Sequence, residues 1–407
     1  LSGGKTPAQI YKNGIPAELS DLRQYDVGTY DKSSDTLFVS DLKLSGLYEN
    51  AYPNAAAPST VTVMGAELTV LPSAQADLAA FKVGDKVTLL LTTTGQVAGA
   101  VSPDVAKSNA VGVAEVKGTT ATIKLLDGIL TLEGQTTYSE AAAAKLNGCL
   151  VTVSSYKRGY LTLSKVNGKG ASTALNLTTN RMGTKELSAG ARFFEQVSNG
   201  RLVEIDRSDI TITSIPANKI TYVGYDWAGR VDKLVLNDVT GDRYDYGIIH
   251  YQPAGYQETP GNPNGNGEYK NGEISVTNGS FPKGMTPYVV GSVDGAKTNR
   301  MGGVAGSLDQ LDGQNRMAAF MPLNEAKGIR RAQFDTDAML LTTNSMVIPI
   351  SDAVECYNKT TGDWFKPGED GDHKATLNLA LAFSDDITVY YDRSPEEGGK
   401  VRIVVVE

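Results

Sequence analysis

Short runs in which large apolar residues alternate with polar or small ones recur along the chain. Examples are Thr60-Val61-Thr62-Val63, Glu67-Leu68-Thr69-Val70, Lys86-Val87-Thr88-Leu89 and Lys400-Val401-Arg402-Ile403. A period of two is the mark of a strand with one buried face. The cleanest copy of a larger pattern covers 60–101. A hairpin turns at Gly65-Ala66, a short helix is expected over 72–80 with Ser73 as its cap, and a turn at 81–85 leads into strand 83–91 and its return at 96–101. A second copy follows the same order. It has strands at 121–126 and 128–132, a helix over 139–146 capped by Ser139, a turn at Asn147-Gly148, and a closing hairpin at 149–153 and 160–163. A looser version occupies 191–236 and a partial one 19–39. The chain ends on another, 378–392 and 400–405, in which laying Thr388 on Thr88 brings Asp385 onto Asp85.

Each part of the pattern has a physical reading. Gly84-Asp85 and Asp385-Asp386 supply turn chemistry ahead of a strand, because Asp accepts from nearby backbone N–H groups. Phe81 and Phe383 are candidate apolar plugs for a barrel end. Thr88, Thr152, Thr221 and Thr388, β-branched yet polar, suit strand positions facing water. The expected fold is mainly β, with tandem small β-barrel or β-roll modules carrying short helices. The modules are placed at 1–44 (partial), 45–106, 107–168 and 169–252. A Gly/Asn/Pro-rich loop or linker follows at 253–272, and a larger module or module pair at 273–407. Within the last, 288–293 reads as strand, and 302–321 shows only the Gly, Asn and Asp of turns.

With 407 residues the chain is too long for a single core. At 41 % hydrophobic and 21 % charged residues it is globular rather than disordered. The net charge of −8 argues against a nucleic-acid partner, and the basic group Lys327, Arg330 and Arg331 reads as solvated surface. No apolar run approaches the roughly 18 residues that span a bilayer. The first residue is not Met and no signal-peptide pattern opens the chain, so a piece of something longer is expected. The two cysteines, Cys149 and Cys356, fall in separate modules and read as buried, unbridged thiols.

Three runs carry a resemblance: 57–63, 81–91 and Cys356-Tyr357-Asn358-Lys359-Thr360-Thr361-Gly362, joined by 389–393 and 398–401. They resemble the regions beside S-layer homology domains in surface proteins of Gram-positive, clostridial-type bacteria. The S-layer homology repeats, which in that family anchor the protein to cell-wall polysaccharide, are not visible in these residues. The resemblance implies a secreted, modular, non-catalytic part of a cell-wall or cell-surface protein. Its partners would be neighbouring surface-layer subunits or cell-wall or host glycans.

Candidate chemistry is sparse. There are two histidines, His250 in a strand-like run and His373 in an acidic loop. No Ser or Cys sits at a recognisable nucleophile turn, so no hydrolytic triad assembles. In the loop 363–373, Asp370 and Asp372, with Asp363 and Glu369, offer oxygen ligands of the kind Ca²⁺ takes, without the spacing of an EF-hand. The alternative is a solvated turn. Asn237–Asp242 is a second acidic turn, read the same way. Trp227 and Trp364, both at turns, either stack on a sugar face or cap a barrel. No cofactor is expected. The first reading is therefore a structural or scaffolding region of a surface-layer protein. A carbohydrate- or host-ligand-binding adhesin is the alternative, and an enzyme is the least supported because no nucleophile, base and metal ligands converge.

Overall fold

The computed structural model describes residues 6–166, 170–197, 201–252, 255–258, 267–270, 273–277, 301–306, 320–367 and 371–407. The fold is mainly β. The chain divides into two compact units: Leu1–Phe194 with Arg201–Glu204 and Pro216–Leu236, and Glu195–Gly200 with Ile205–Ile215 and Asn237–Glu407.

In the first unit the strands Val111–Lys117, Thr120–Leu125, Thr131–Thr136, Leu150–Ser154 and Tyr160–Lys165 form a closed barrel. The first strand pairs with the second and the fourth, and the third runs parallel to the fifth. Helix α2 (Glu140–Ala144) links the third strand to the fourth. This five-stranded Greek-key connectivity is that of an OB-type barrel. The preceding segment repeats it with Lys43–Tyr52, Thr60–Val63, Ala66–Thr69, Lys86–Leu91 and Val97–Val101. Helix α1 (Gln75–Leu78) lies between the third and fourth strands, and a parallel bridge from Val70 to Val97 joins the third strand's end to the fifth.

The second unit holds a third copy. Asn324–Ile329 and Phe334–Asp335 are two halves of one first strand, split by the 3-10 turn Arg331–Gln333. One half pairs with the fourth strand, Ile387–Tyr391, and the other with the second, Leu340–Thr342. The third strand, Val347–Asn358, runs parallel to the fifth, Val401–Val406, with helix α3 (His373–Phe383) between the third and fourth. The expected tandem small barrels with short helices are thus present.

Barrel closure forces the first strand to serve two neighbours and therefore to bend. Glycine takes that position in each copy, as at barrel corners generally. A Cβ on Gly112 would lie 2.6 Å from the Lys124 carbonyl oxygen, and one on Gly46 would lie 2.7 Å from Val63 Cγ1. Gly328 sits at the register shift of the third copy with φ +69°.

The first two barrels share one continuous core. Leu44, Tyr48, Val61, Leu89 and Leu91 pack in the same cluster as Ala114, Ile123, Leu132 and Leu161. Each fully buried side chain of this kind contributes about 1.5–3 kcal/mol. Polar links reinforce the joint. Ser155 Oγ accepts from the Leu47 N–H at 2.7 Å, and the buried Glu49 carboxylate accepts from Gly65 and Gly159 N–H groups, both at 3.2 Å. The first unit also holds an N-terminal four-stranded sheet, in which Gln9–Lys12 runs parallel to Thr36–Ser40, and a sheet in which Leu175–Asn176, Arg181–Met182, Lys185–Gln196, Val231–Asn237 and Ile220–Tyr225 are successive neighbours.

Several sequence expectations change. The run 191–236 is not a further barrel. It supplies part of the long strand Lys185–Gln196, the 3-10 turns Arg207–Asp209 and Ala217–Lys219, and a hairpin, with no α-helix among its described residues. Segment 169–252 contributes to both units. Thr152 is exposed and Thr221 partly so, but Thr88 and Thr388 are buried. Thr88 Oγ1 donates to the Ala106 carbonyl at 2.8 Å and pairs with Ser45 Oγ at 2.7 Å, so burial leaves its hydroxyl satisfied. Ser73 is not a cap, since its hydroxyl donates to the Ala98 carbonyl at 2.9 Å. Ser139 holds the N-cap position of α2 without a side-chain bond.

Phe81 packs against the shared core, whereas Phe383 is 53 % exposed. The buried stripe of α3 is Thr376, Leu377, Ala380 and Leu381, and helical periodicity turns Phe383 away from it. Gly84-Asp85 does act as a turn: Gly84 has φ +105° and Asp85 accepts from the Lys82 N–H at 2.7 Å. Of the expected loop 253–272, Gly255–Glu258 and Gly267–Lys270 are described and pair antiparallel. Of 302–321, the described parts belong to the strands Met301–Gly306 and Phe320–Pro322, which pair with each other. The strand expected at 288–293 lies outside the described residues.

The bend account makes a prediction. Gly112→Ala drives a methyl group into the Lys124 carbonyl and should lower stability by about 1–3 kcal/mol, read from the midpoint of denaturant unfolding. An unshifted midpoint would refute it.

Candidate functional site: a cleft in the first unit

The first unit contains a cleft of about 530 Å³, a volume within the range of about 300–1,000 Å³ usual for small-ligand sites. Its walls come from three places in the chain: Asn13, Phe38 and Asp41 of the N-terminal sheet, Asp127 and Ile129 beside the second barrel, and Tyr222, Tyr225, Trp227, Asp232 and Lys233 of the hairpin. Trp227, singled out from the sequence as a sugar platform or a cap, is one of these residues.

The hairpin turn positions Trp227 by local chemistry. Asp226 Oδ1 accepts from the Ala228 and Arg230 N–H groups, both at 2.9 Å, while Oδ2 takes Arg230 Nε at 2.8 Å. Gly229, at φ +76°, supplies the left-handed residue that such a turn needs. The indole Nε1 donates to the Lys12 carbonyl at 3.3 Å, which fixes the ring. Arg230 Cζ lies 5.1 Å and Lys12 Nζ 5.7 Å from the ring centroid. Tyr225 is 51 % exposed, and Phe38, 38 % exposed, stacks on Tyr11 with centroids 6.1 Å apart.

The electrostatics are lopsided. Four cations around the cleft have a carboxylate, Lys12 with Asp26 at 2.6 Å, Arg192 with Glu204 at 2.6 Å, Arg230 with Asp226 at 2.8 Å, and Lys233 with Asp232 at 2.5 Å, while Lys185 Nζ lies 5.6 Å from the Tyr225 ring centroid. Asp232 Oδ1 is buried with no hydrogen-bond partner among the described residues. Burial pushes the Asp127 carboxyl above its ordinary value, only partly offset by the Ile129 N–H and the charges of Lys233 and Arg192. Burial likewise raises the Tyr222 phenol, and the Asp232 charge adds to it. Gly224 keeps this floor open, because a Cβ there would stand 3.1 Å from Asp232 Oδ1 and 3.3 Å from the Tyr222 hydroxyl.

The other sequence candidates lie elsewhere. Trp364, in the second unit, pairs in register with Tyr357, their ring centroids 5.0 Å apart, and packs against the cluster of Tyr246, Tyr390 and Ile403. Asp370 lies outside the described residues. Asp372 is the N-cap of α3, accepting from the Ala375 N–H at 2.9 Å. Among the described residues no group of three His, Cys, Asp or Glu is placed to hold a metal. His373 Nδ1 is 3.0 Å from the Val354 carbonyl. His250 belongs to the strand Asp245–Gln252, its side chain outside the described residues. Cys149 and Cys356 are both buried and unbridged, and burial pushes the Cys356 thiol up to about 12.

The second unit holds an ionic cluster that the sequence reading missed. The acidic turn Asn237–Asp242 is tied to the hairpin of the third barrel. Arg402, 2 % exposed, meets Asp392 at 2.8 Å, Asp242 at 2.5 Å and the Thr240 carbonyl at 2.6 Å. Lys400 pairs with Asp242 at 2.9 Å, and Arg393 with Asp238 at 2.8 Å. The fully buried Glu195 carboxylate accepts from the Val239 and Thr240 N–H groups at 2.5 and 2.7 Å and from the Thr240 hydroxyl. The only signal in the sequence was Arg402 inside the apolar run Val401–Val406. Its partners lie as far as 162 residues away.

Comparison of the chain with known protein families, with curated proteins and with solved structures finds no match in any of the three.

Burial pushes the Asp242 carboxyl up, but the charges and hydrogen bonds of Arg402 and Lys400 outweigh that and hold it below its ordinary value of 3.8. A carboxyl depressed in the folded state adds stability above its unfolded pKa and loses it as pH falls through the folded one. Acid unfolding of the full chain should therefore steepen below about pH 4, and Asp242→Asn should remove part of that dependence. Separately, Arg402→Met leaves Asp392 buried without its partner and should cost about 3–5 kcal/mol, with Asp392→Leu added in the same chain recovering much of the loss. Equal acid profiles for the wild type and Asp242→Asn would contradict the first expectation, and an unchanged unfolding midpoint for Arg402→Met the second.

Proposed function

We propose that this chain is a non-catalytic structural region of a bacterial cell-surface protein of the S-layer-associated kind. In this reading it serves as a spacer or lattice element outside the cell, with neighbouring surface-layer subunits as partners. The observation that supports it most is the use of one five-stranded barrel topology three times, the first two copies sharing one apolar core. Such repetition suits an element that carries position and load, and the densest ionic cluster among the described residues is spent on holding a turn to a barrel. The resemblance of runs 57–63, 81–91 and 356–362 to regions beside S-layer homology domains points the same way. Fold alone does not assign a role.

A second reading, a carbohydrate- or host-ligand-binding adhesin, is favoured by one observation: Trp227, Tyr225 and Phe38 gather with carboxylates around a cleft of small-ligand size.

The scaffold reading has direct tests. Trypsin applied to intact source cells should release peptides from 43–165 without lysis, and in-frame deletion of 43–165 should disorder the surface lattice in electron micrographs. Peptides found only in the lysate, or a lattice indistinguishable from wild type, would overturn it.

A further inference from the structure

We propose that the cleft of the first unit binds a short oligosaccharide of neutral or amino sugars and discriminates against acidic ones. The proposal rests on the second reading above, not on the scaffold, and names the ligand class that reading leaves open. A sugar ring has an apolar C–H face and a rim of hydroxyl donors. The cleft has a match for each: Trp227 and the half-exposed Tyr225 as flat surfaces, and carboxylate and amide oxygens between them.

Charge decides the class. The lining carries Asp41, Asp127, Asp226 and Asp232 against Arg192 and Lys233, and those two cations are each held by a carboxylate of the protein's own. Acceptor capacity is left over on the lining, and one donor, Arg230 Nη2, is buried without a partner among the described residues. Asp232 Oδ1 lacks a partner among the described residues, and Asp127 receives the Ile129 N–H at 3.1 Å and no side-chain hydrogen bond. A buried acceptor short of donors raises the energy of the empty site, and a ligand that brings O–H or N–H donors removes that cost. An acidic sugar would instead place a second carboxylate against Asp127 and Asp232.

Gly224 has the corresponding steric role. A side chain there would stand against Asp232 Oδ1 and the Tyr222 hydroxyl. Trp227 is fixed before any ligand arrives by its bond to the Lys12 carbonyl, which spares the ordering cost of a mobile aromatic.

The test applies the full chain to an array of immobilised neutral, amino-bearing and acidic oligosaccharides, followed by calorimetric titration of the best binder. Neutral or amino sugars should be retained. Tyr225→Ala, which removes a half-exposed ring, and Asp127→Asn should each weaken binding by about tenfold or more. Asp127→Asn should also leave the melting temperature unchanged, because Asp127 is exposed and Asn keeps the oxygen that accepts from the Ile129 N–H. That combination separates a binding residue from a structural one. Preference for acidic sugars would overturn the class while leaving the adhesin reading intact. A silent array, or binding that survives both substitutions, would overturn the cleft as a site, and the silent array would remove the glycan-adhesin reading with it.

Discussion

In every barrel copy the first strand pairs both with the second, which follows it in sequence, and with the distant fourth, and the rest of the fold depends on this strand turning a corner. Without the bend the hairpin formed by the second and third strands could not curl back on the hairpin formed by the fourth and fifth, and the apolar faces of both would remain in water. Three local solutions serve the same end. Gly112 and Gly46 let a neighbouring strand approach where any side chain would collide. In the third copy, Gly328 and the 3-10 turn Arg331–Gln333 break the strand into two pieces that point to different partners. Once the corner is made, parallel contact between the third and fifth strands completes the circuit, and the short helix bridges the step from third to fourth.

This explains which parts of the fold were legible. Antiparallel hairpins and the helix–turn–strand passage are local, so alternation and turn residues reveal them. Closure is not local. Val70 meets Val97, Gln135 meets Tyr160 and Cys356 meets Val404, and nothing in a strand's own pattern says which distant strand lies beside it. Threonine misled for a related reason. Its methyl group tolerates burial and its hydroxyl needs one acceptor, so Thr88 faces inward as soon as the Ala106 carbonyl is in reach. The run 191–236 has the right alternation but no α-helix among its described residues, and without that connection it forms an open sheet.

The functional surface divides along the same line. Trp227 could be picked out because Asp226, Ala228 and Gly229 beside it are turn chemistry that exposes a ring. Asp127, Phe38 and Asn13, which join it around the cleft, come from segments far away in sequence and carry no local mark. Asp372 illustrates the reverse case: an acidic loop that suggested metal ligation supplies a helix cap.

Charge balance distinguishes the two polar clusters physically. In the second unit, Arg393, Lys400 and Arg402 face Asp238, Asp242 and Asp392, and Glu195 is met by backbone N–H groups, so each charge has a partner built into the chain. A cluster balanced in this way fixes geometry and leaves little for an external molecule to supply. The cleft differs. Its lining holds Asp41, Asp127, Asp226 and Asp232 against Arg192 and Lys233, and Asp232 Oδ1 has no donor among the described residues. A fold selected for stability alone gains by replacing such a carboxyl with an amide or an apolar residue. An unpartnered carboxylate oxygen beside exposed aromatic rings is the arrangement in which binding a donor-rich ligand yields the most.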